Sequence, residues 1–352
     1  MKFHLRDEAR FTERRAPITP TDAGTLLAAG HELWVEKSAK RIFSDTEYVA
    51  VGATLVDTGS WVGAPLDRTI LGLKELPPKP DALGHSFIHF AHLYKDQSGW
   101  QDEIARFVRG GGRHFDLEYL SKNGRRTAAF GYWAGWMGAA LAAWRFRARN
   151  HLPHVNLESF PSLSSFESRE KVIEILKSFD ASDCKALVIG AKGRSGSGAV
   201  EALKTAGFSV TEWDIAETRK LDRTALMAHD VLVNCVLMTG PGLQLLSPSN
   251  LSSTDNHLSV ISDVSCDPFS DFNPLPIYDR PTSWEDAFIT LGENGQGKAV
   301  ELTAIDNLPS LLPRESSEDF SAQLLPCLLN YPQGDEWLAA AVAFDTAVKR
   351  AK

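Results

Sequence analysis

Residues 186–200 have the sequence ALVIGAKGRSGSGAV, an apolar run followed by a glycine-rich turn. The apolar run is typical of a strand that is buried on both faces of a parallel sheet. A predicted helix follows the turn through residues 201–203. Glycines permit a tight turn and let a pyrophosphate approach the N–H groups at a helix N-terminus. The segment therefore predicts a dinucleotide-binding α/β domain, and its turn glycines are Gly190, Gly193 and Gly196.

Asp214 closes the next predicted strand, residues 208–213, and lies 18 residues after Gly196. A carboxylate at this place accepts hydrogen bonds from a ribose 2′-hydroxyl and repels a 2′-phosphate, which favours NAD over NADP. The turn has the spacing GxxGxxG, which departs from the GxGxxG fingerprint. Arg194 leaves the choice of cofactor open, because its guanidinium suits a phosphate contact as well as a solvated position in the loop.

The chain has 352 residues, which suggests two domains at roughly 150 residues each. Its hydrophobic content of 43% and charged content of 23% are those of a globular protein and exclude a disordered or collagen-like chain. The formal charge of −8 disfavours a general nucleic-acid surface. The four cysteines form no CxxC pair, and the N-terminus has no apolar signal core. We therefore expect a cytoplasmic enzyme or binding protein.

Alternating strand and helix patterns favour a parallel α/β sheet. Helices are predicted at residues 21–28, 101–108 and 309–329, the last one broken. Strands are predicted at residues 3–5, 33–35, 54–56, 69–73, 86–93, 186–189, 208–213, 231–233 and 260–261.

Residues 127–144 form an uncharged stretch with a GxxxG pattern at Gly131 and Gly135. Its 18 residues are just enough for a transmembrane helix. The stretch is rich in Ala and Gly, however, and arginines flank both of its ends. These features favour a buried helix whose small residues let its neighbours approach closely.

Several side chains are candidates for acid–base chemistry or for binding carboxylates. Lys74 and Glu75 follow the predicted strand 69–73, at the edge of a parallel sheet where ligands gather. Lys74 is a base there if burial or neighbouring charge lowers its pKa, and otherwise an ordinary solvated lysine. The HxxxHxxH pattern of residues 85–92 would form a metal site on a helix, but the segment is predicted to be a strand, so no metal is expected. His92, at the end of that strand, suits an acid–base role. Arginines cluster at Arg10, Arg14, Arg15, Arg125 and Arg126, and each cluster is either a carboxylate site or a solvated surface.

The same residues resemble a known family, the NAD-dependent, lysine-forming saccharopine dehydrogenases of the alanine dehydrogenase/transhydrogenase superfamily. The most specific match is FAHLYKDQSGW at residues 90–100. The other matching stretches keep the same order along nearly the whole chain: residues 15–20, 72–75, 124–131, 190–199, 213–215, 263–265 and 305–315.

The resemblance implies two Rossmann-like domains with an active-site cleft between them. Residues 1–131 with 313–352 would form the domain that binds saccharopine, and residues 132–312 would bind NAD. The implied reaction is reversible: saccharopine, NAD and water give lysine, 2-oxoglutarate and NADH. Small molecules would be the partners, with no nucleic acid and no membrane, and the protein would be a monomer or a small homo-oligomer.

The resemblance also implies roles for individual residues. Lys74 and His92 map onto the family's catalytic lysine and histidine. The expected substrate-binding residues are Arg15, Arg126, Glu75, Glu118, Lys95 and Asp96. The expected cofactor-binding residues are Gly190, Gly193, Arg194, Ser195, Gly196, Asp214 and Asp306.

The chain departs from the fungal pattern at several places. Ser195 stands where a fungal cysteine is expected, the stretch after the apolar helix is short, and residues 279–297 show little similarity. These departures leave two alternatives open. One is a related dehydrogenase acting on another N-(carboxyalkyl) amino acid or on alanine, and the other is an NAD-binding protein without catalysis.

Overall fold

The computed structural model describes residues 1–91, 93–94, 98–151, 160–179, 183–238 and 240–351. The chain divides into two compact units. Unit 1 consists of Met1–Ala129 and Pro313–Lys352, and unit 2 consists of Phe130–Leu312. Each unit is built around its own six-stranded sheet.

The strands are, in chain order, β1 (Lys2–Leu5), β2 (Glu32–Glu36), β3 (Thr54–Val56), β4 (Arg68–Leu71), β5 (Ser86–His89), β6 (Arg113–Asp116), β7 (Ser121–Lys122), β8 (Arg125–Arg126), β9 (Lys185–Ile189), β10 (Ser209–Trp213), β11 (Val231–Asn234), β12 (Val260–Asp263), β13 (Ile289–Glu293) and β14 (Ala299–Thr303). The helices are α1 (Pro20–Ala28), α2 (Asp45–Ala50), α3 (Trp100–Gly110), α4 (Gly131–His151), α5 (Arg169–Lys177), α6 (Arg194–Thr205), α7 (Ile215–Thr218), α8 (Arg223–Met227), α9 (Pro248–Leu251), α10 (Pro313–Asn330) and α11 (Asp335–Arg350). Short 3-10 turns occur at Ser60–Gly63 and Leu308–Leu311.

The sheet of unit 1 has the strand order β3-β2-β1-β4-β5-β6, and all neighbours pair in parallel. The order reverses between β1 and β4, so the carboxyl ends of these two strands border a crevice at which α/β proteins bind ligands. Every residue of β4 is buried, as expected for a central parallel strand. This crevice positions the segments that follow β1 and β4.

The sheet of unit 2 has the order β10-β9-β11-β12-β14-β13. Its strands pair in parallel except for β13, which runs antiparallel to β14. The order reverses between β9 and β11, and the glycine-rich turn follows β9. The predicted α/β class with two Rossmann-like sheets is confirmed.

Glycines bring α4 and α6 into backbone contact within unit 2. A Cβ atom at Gly135 would lie 1.7 Å from the Ser195 carbonyl oxygen, and one at Gly198 would lie 2.1 Å from the Tyr132 carbonyl oxygen. The predicted buried helix is confirmed, although it begins at Gly131 and continues to His151. It passes through Arg145, whose guanidinium is buried against Glu301. Among the described residues, no helix is long and apolar enough to span a bilayer.

The structure differs from the predicted elements at several boundaries. Helix α1 begins at Pro20, one residue earlier than predicted, because proline fits the first helical position. Thr19 caps the helix, and its side chain accepts a hydrogen bond from the Asp22 N–H. Strand β4 ends at Leu71 and β5 at His89, both earlier than predicted. Residues 279–297 include β13, and β6, β14 and α11 are further elements that the sequence patterns did not indicate.

Candidate active site

The glycine-rich turn of unit 2 lies at the point where the strand order reverses. Gly190 has a φ of +78°, and a Cβ atom there would lie 2.9 Å from a methyl carbon of Val236. Gly193 caps α6, and a Cβ atom at Gly196 would lie 2.0 Å from the Gly190 carbonyl oxygen. The first N–H groups of α6 have no acceptor within the helix, so they are suited to an anionic ligand. This close backbone packing fits the turn to a pyrophosphate.

Asp214, which follows β10, is hydrogen-bonded to the glycine-rich turn. Its carboxylate accepts hydrogen bonds from the Lys192 N–H at 3.0 Å and the Ile215 N–H at 2.8 Å. The two N–H groups hold the pKa of the Asp214 carboxyl below its usual value. The Asp214 N–H in turn donates to Glu217, which completes a capping box at the start of α7. Asp214 is therefore a charged carboxylate held in a fixed position beside the turn.

A cavity of about 340 Å³ lies beside Asp214. Its lining combines this carboxylate and the backbone of the turn with apolar side chains, a combination that suits the ribose and base of an adenosine group. The lining residues are Gly190, Asp214, Ile215, Thr218, Arg219, Val236, Met238, Gly242 and Leu243. The residues of unit 2 thus fit a dinucleotide.

The remaining predicted cofactor residues also belong to unit 2. Arg194 and Ser195 form the first turn of α6, and their side chains lie against Gly131 at the start of α4. Asp306 is exposed after β14. Burial, together with the Asp306 and Asp263 carboxylates, raises the pKa of the Cys266 thiol to about 12, so this thiol stays protonated.

In unit 1, the segment that carries Lys74 follows β4 at the reversal of the strand order. The Glu8 carboxyl accepts hydrogen bonds from the Leu73 N–H at 2.7 Å and the Lys74 N–H at 3.0 Å. Arg6 donates to the carbonyl oxygens of Lys74 and Glu75 and lies 3.2 Å from the Glu8 carboxyl. Arg6 directly follows β1, and Glu8 lies two residues further along the chain. Both are buried, and the sequence patterns did not single them out.

The positive charge of Lys74 lowers the pKa of two nearby carboxyl groups, those of Glu13 and Glu75. Burial alone would raise the pKa of the Glu13 carboxyl, but the charge and hydrogen bonds of Arg15, with the Lys74 ammonium, hold it below its usual value. Burial also acts to raise the pKa of the Glu75 carboxyl, but the hydrogen bond from Arg10 and the charge of Lys74 hold it below its usual value. Lys74 therefore lies close enough to the Glu13 and Glu75 carboxylates for its positive charge to lower their pKa values.

Arg15 is buried and forms a bidentate ion pair with Glu13, with N···O distances of 2.8 and 2.7 Å. The arginine predicted to bind a substrate carboxylate thus already holds a carboxylate of the protein. Glu13 is a further residue that the sequence patterns did not single out.

Arg126 and Glu118 form a second candidate substrate pair. Arg126 lies on β8 of the β7–β8 hairpin and is 40% exposed, and one of its terminal nitrogens lies 3.2 Å from a Glu118 carboxylate oxygen. Glu118 is positioned by its own N–H, which donates to Asp116 at the end of β6. Three other predicted site residues, His92, Lys95 and Asp96, lie outside the described residues.

The chain is similar to fungal enzymes over nearly its whole length. It is 42% identical to the saccharopine dehydrogenase (NAD(+), L-lysine-forming) of Yarrowia lipolytica, with 99% of this chain and 98% of the relative covered. The enzyme of the same name from Neurospora crassa is 41% identical, with 98% and 96% covered. The chain belongs to the NAD-dependent, L-lysine-forming saccharopine dehydrogenase family. The predicted resemblance is confirmed.

More distant comparisons place the saccharopine dehydrogenase fold in a wider group. Residues 4–137 match the family model described as "Alanine dehydrogenase/PNT, N-terminal domain". A solved structure of L-alanine dehydrogenase covers 98% of this chain and 94% of its own, with a TM-score of 0.69 and 18% identity. The transhydrogenase from Sinorhizobium meliloti covers 96% and 97%, with a TM-score of 0.64 and 14% identity. These structures share the fold of the chain.

Proposed function

We propose that this chain catalyses the reversible, NAD-dependent oxidative deamination of saccharopine to L-lysine and 2-oxoglutarate. The observation that carries the proposal is the full-length identity of 42% with an enzyme named for this reaction. The dinucleotide cradle of unit 2 supports it independently. We assign residues 132–312 to cofactor binding, through Gly190, Gly193, Arg194, Ser195, Gly196, Asp214 and Asp306. We assign residues 1–131 with 313–352 to substrate binding.

The first chemical step oxidises the secondary amine of saccharopine to an imine. The NAD that the glycine-rich turn and Asp214 would hold would supply the acceptor for the hydride that leaves the substrate carbon. The nitrogen must be unprotonated when the hydride leaves, because an ammonium has no lone pair with which to form the C=N bond. We assign the removal of this proton to Lys74. Lys74 must be a neutral amine to accept this proton, and the nearby carboxylates of Glu13 and Glu75 stabilise the ammonium that it then becomes.

The second step adds water to the imine and breaks the resulting carbinolamine. The imine carbon gains the water oxygen and becomes the keto carbon of 2-oxoglutarate, and the nitrogen leaves as the amine of lysine. One group must take a proton from water and return one to the departing nitrogen. We assign this role to His92, because imidazole exchanges protons near neutral pH.

Saccharopine carries three carboxylates, and the net charge of the chain is −8, so local arginines must supply the binding. Arg126 is suited to one carboxylate because it is partly exposed and its ion pair with Glu118 fixes its position. We assign the remaining substrate contacts to Arg15, Glu75, Glu118, Lys95 and Asp96. Arg15 would exchange its ion pair with Glu13 for a substrate carboxylate. We also infer a cytoplasmic enzyme with small-molecule partners, without nucleic acid, that acts as a monomer or small homo-oligomer.

The function is tested by following NADH oxidation in the presence of L-lysine and 2-oxoglutarate. The proposed enzyme consumes NADH with this pair and reduces NAD with saccharopine. NADH oxidation with pyruvate and ammonia instead would identify an alanine dehydrogenase. NADH binding without turnover of either pair would identify a non-catalytic binding protein.

Asp214 is expected to make NADH strongly preferred over NADPH. Asp214→Asn removes the negative charge and keeps one oxygen that can accept from either the Lys192 or the Ile215 N–H, so one of the two bonds is lost, a change that affects both cofactors and leaves their ratio to report the charge. We expect the preference, measured as the ratio of kcat/KM values, to fall by about tenfold, equivalent to ~1.4 kcal/mol. Glu212→Gln, an exposed change two residues earlier, is the control. Equal use of both cofactors by the wild type would reject this role.

Arg126→Ala is expected to raise the KM for 2-oxoglutarate far more than the KM for NADH. Loss of a hydrogen bond to a charged group costs about 1.5–3 kcal/mol, or roughly 10- to 150-fold. Arg125→Ala is the matched control, because successive residues of a strand point to opposite faces. Unchanged kinetics for the keto acid would place Arg126 outside the substrate site.

A further inference from the structure

The segment that carries Lys74 lies beyond the end of the sheet. Beyond Leu71, the last residue of β4, the Gly72 N–H donates to Ile88 at 3.0 Å and the Leu73 carbonyl accepts from the Phe90 N–H at 3.0 Å. These bonds continue the pairing on the β5 side. On the β1 side the last backbone bond runs from the Arg6 N–H to the Leu71 carbonyl. Beyond this bond, the side chains of Arg6 and Glu8 bind the backbone of residues 73–75.

Arg6 and Glu8 replace the missing strand with complementary side chains. The two carboxyl oxygens of Glu8 accept the N–H groups of Leu73 and Lys74, one each. The guanidinium of Arg6 donates to the carbonyls of Lys74 and Glu75. The N–H and C=O groups of Lys74 are therefore both held by these two side chains. Arg6 is 2% exposed and Glu8 is 6% exposed, so water competes little for these bonds.

Gly72 makes room for this arrangement. A Cβ atom at Gly72 would lie 2.5 Å from Nε of Arg6 and 2.9 Å from its Cζ. Any side chain there would push the guanidinium away from the carbonyls. The glycine of the Gly72-Leu73-Lys74-Glu75 stretch thus has a physical reason, which is the space that Arg6 occupies.

We propose that Glu8 and Arg6 are positioning residues for the reaction, and that they act by fixing the backbone of Lys74 so that its amine meets the substrate nitrogen. The inference rests on the proposed catalytic role of Lys74. It assigns to a buried Arg–Glu pair a function that it exerts through the backbone of Lys74. A lysine side chain has four rotatable bonds, so the position of its amine depends on where its backbone is held. Misplacement by about 1 Å can cost 10²-fold in rate.

The test is a double-mutant cycle between Glu8→Gln and Lys74→Met. Gln keeps one oxygen acceptor but turns an NH₂ group towards the second backbone N–H, so one of the two bonds is lost. We expect Glu8→Gln to lower kcat by about 10- to 100-fold with KM values within about threefold of the wild type. In the Lys74→Met background the same change should lower the remaining rate by less than about twofold, because the group it positions is gone.

All rates are expressed per NADH-binding site, counted by fluorescence titration, so that a loss of folded protein does not count as a loss of turnover. Glu47→Gln is the matched control: Glu47 also belongs to unit 1 and its carboxylate accepts a backbone N–H, that of Ser44, at the start of α2. We expect Glu47→Gln to change kcat by less than about threefold. Should Glu8→Gln fail to fold, Gly72→Ala displaces Arg6 without a change of charge and should give the same split between kcat and KM.

Three results would overturn the inference in distinguishable ways. If Lys74→Met is impaired and Glu8→Gln lowers kcat equally in the wild type and in Lys74→Met, Glu8 is a structural residue and the proposed function stays intact. If Glu8→Gln has a normal kcat per binding site, Glu8 does not position Lys74, and the proposed function again stays intact. Wild-type turnover of Lys74→Met itself rejects the catalytic assignment of Lys74, and the inference with it.

Discussion

Lys74→Met is expected to lower turnover by about 10²- to 10⁴-fold while NADH affinity stays within about twofold of the wild type. Met has nearly the length of Lys but cannot accept a proton, so the substrate amine loses its base and the side-chain volume is kept. The backbone bonds from Arg6 and Glu8 do not depend on the side chain and remain. The measurement is steady-state turnover of saccharopine, together with NADH binding by fluorescence.

The same experiment includes a partner variant and a control. His92→Gln should lower turnover over a similar range, and the double variant should lose less than the product of the two single losses, because the two groups share proton transfers. Lys79→Met is the matched control, since Lys79 is an exposed lysine of unit 1 that pairs with Asp81. Near-normal turnover of both Lys74→Met and His92→Gln at all pH values would refute the catalytic assignment.

Local patterns sufficed to predict the strand, glycine-rich turn and helix that we assign to the cofactor. The segment contains a buried strand, glycines at positions with no room for a Cβ atom, and a carboxylate after the next strand. All three lie within about thirty residues of one another, so chain order alone brings them together. The structure adds what Asp214 does there: its carboxylate holds the Lys192 N–H and caps α7. The sequence indicated the residue type but not these two contacts.

The surroundings of Lys74 could not be predicted in the same way. Glu8 and Leu73 are 65 residues apart and meet because β1 and β4 are neighbours in the sheet. That neighbourhood depends on strand order, which periodicity does not specify. Arg6 and Glu8 are also exceptions to the rule that charged residues are solvated, so the sequence patterns did not indicate that they are buried beside a site.

The small-residue pattern of helix α4 has two physical explanations, a membrane span and a buried helix in a protein core. Small residues at a spacing of four serve helix packing in a membrane and in a protein core alike. The structure explains the pattern by the approach of α6, since the groups nearest to Gly135 are backbone atoms of Ser195. Arg145 and Arg147 extend the helix beyond the uncharged stretch, and both are buried.

Gly135→Ala is expected to impair both the stability of unit 2 and its affinity for NADH. The added methyl would lie 1.7 Å from the Ser195 carbonyl oxygen and 2.5 Å from its carbon, and backbone atoms cannot rotate away as a side chain can. Helices α4 and α6 must therefore separate. Overpacking of a core typically costs about 1–3 kcal/mol, and we expect at least the upper end of this range. Chemical denaturation gives the stability, and fluorescence titration gives the NADH affinity.

The two effects have one cause, because Ser195 belongs to the first turn of α6, the turn that we assign to the pyrophosphate. A shift of this turn moves its N–H groups away from Gly190 and weakens NADH binding by about tenfold or more, equivalent to ~1.4 kcal/mol or more. Gly63→Ala is the control, since no atom lies within 4 Å of the position of its Cβ. If Gly135→Ala unfolded at the denaturant concentration of the wild type and bound NADH equally well, α4 would not position the cofactor turn. Its glycines would then need another explanation.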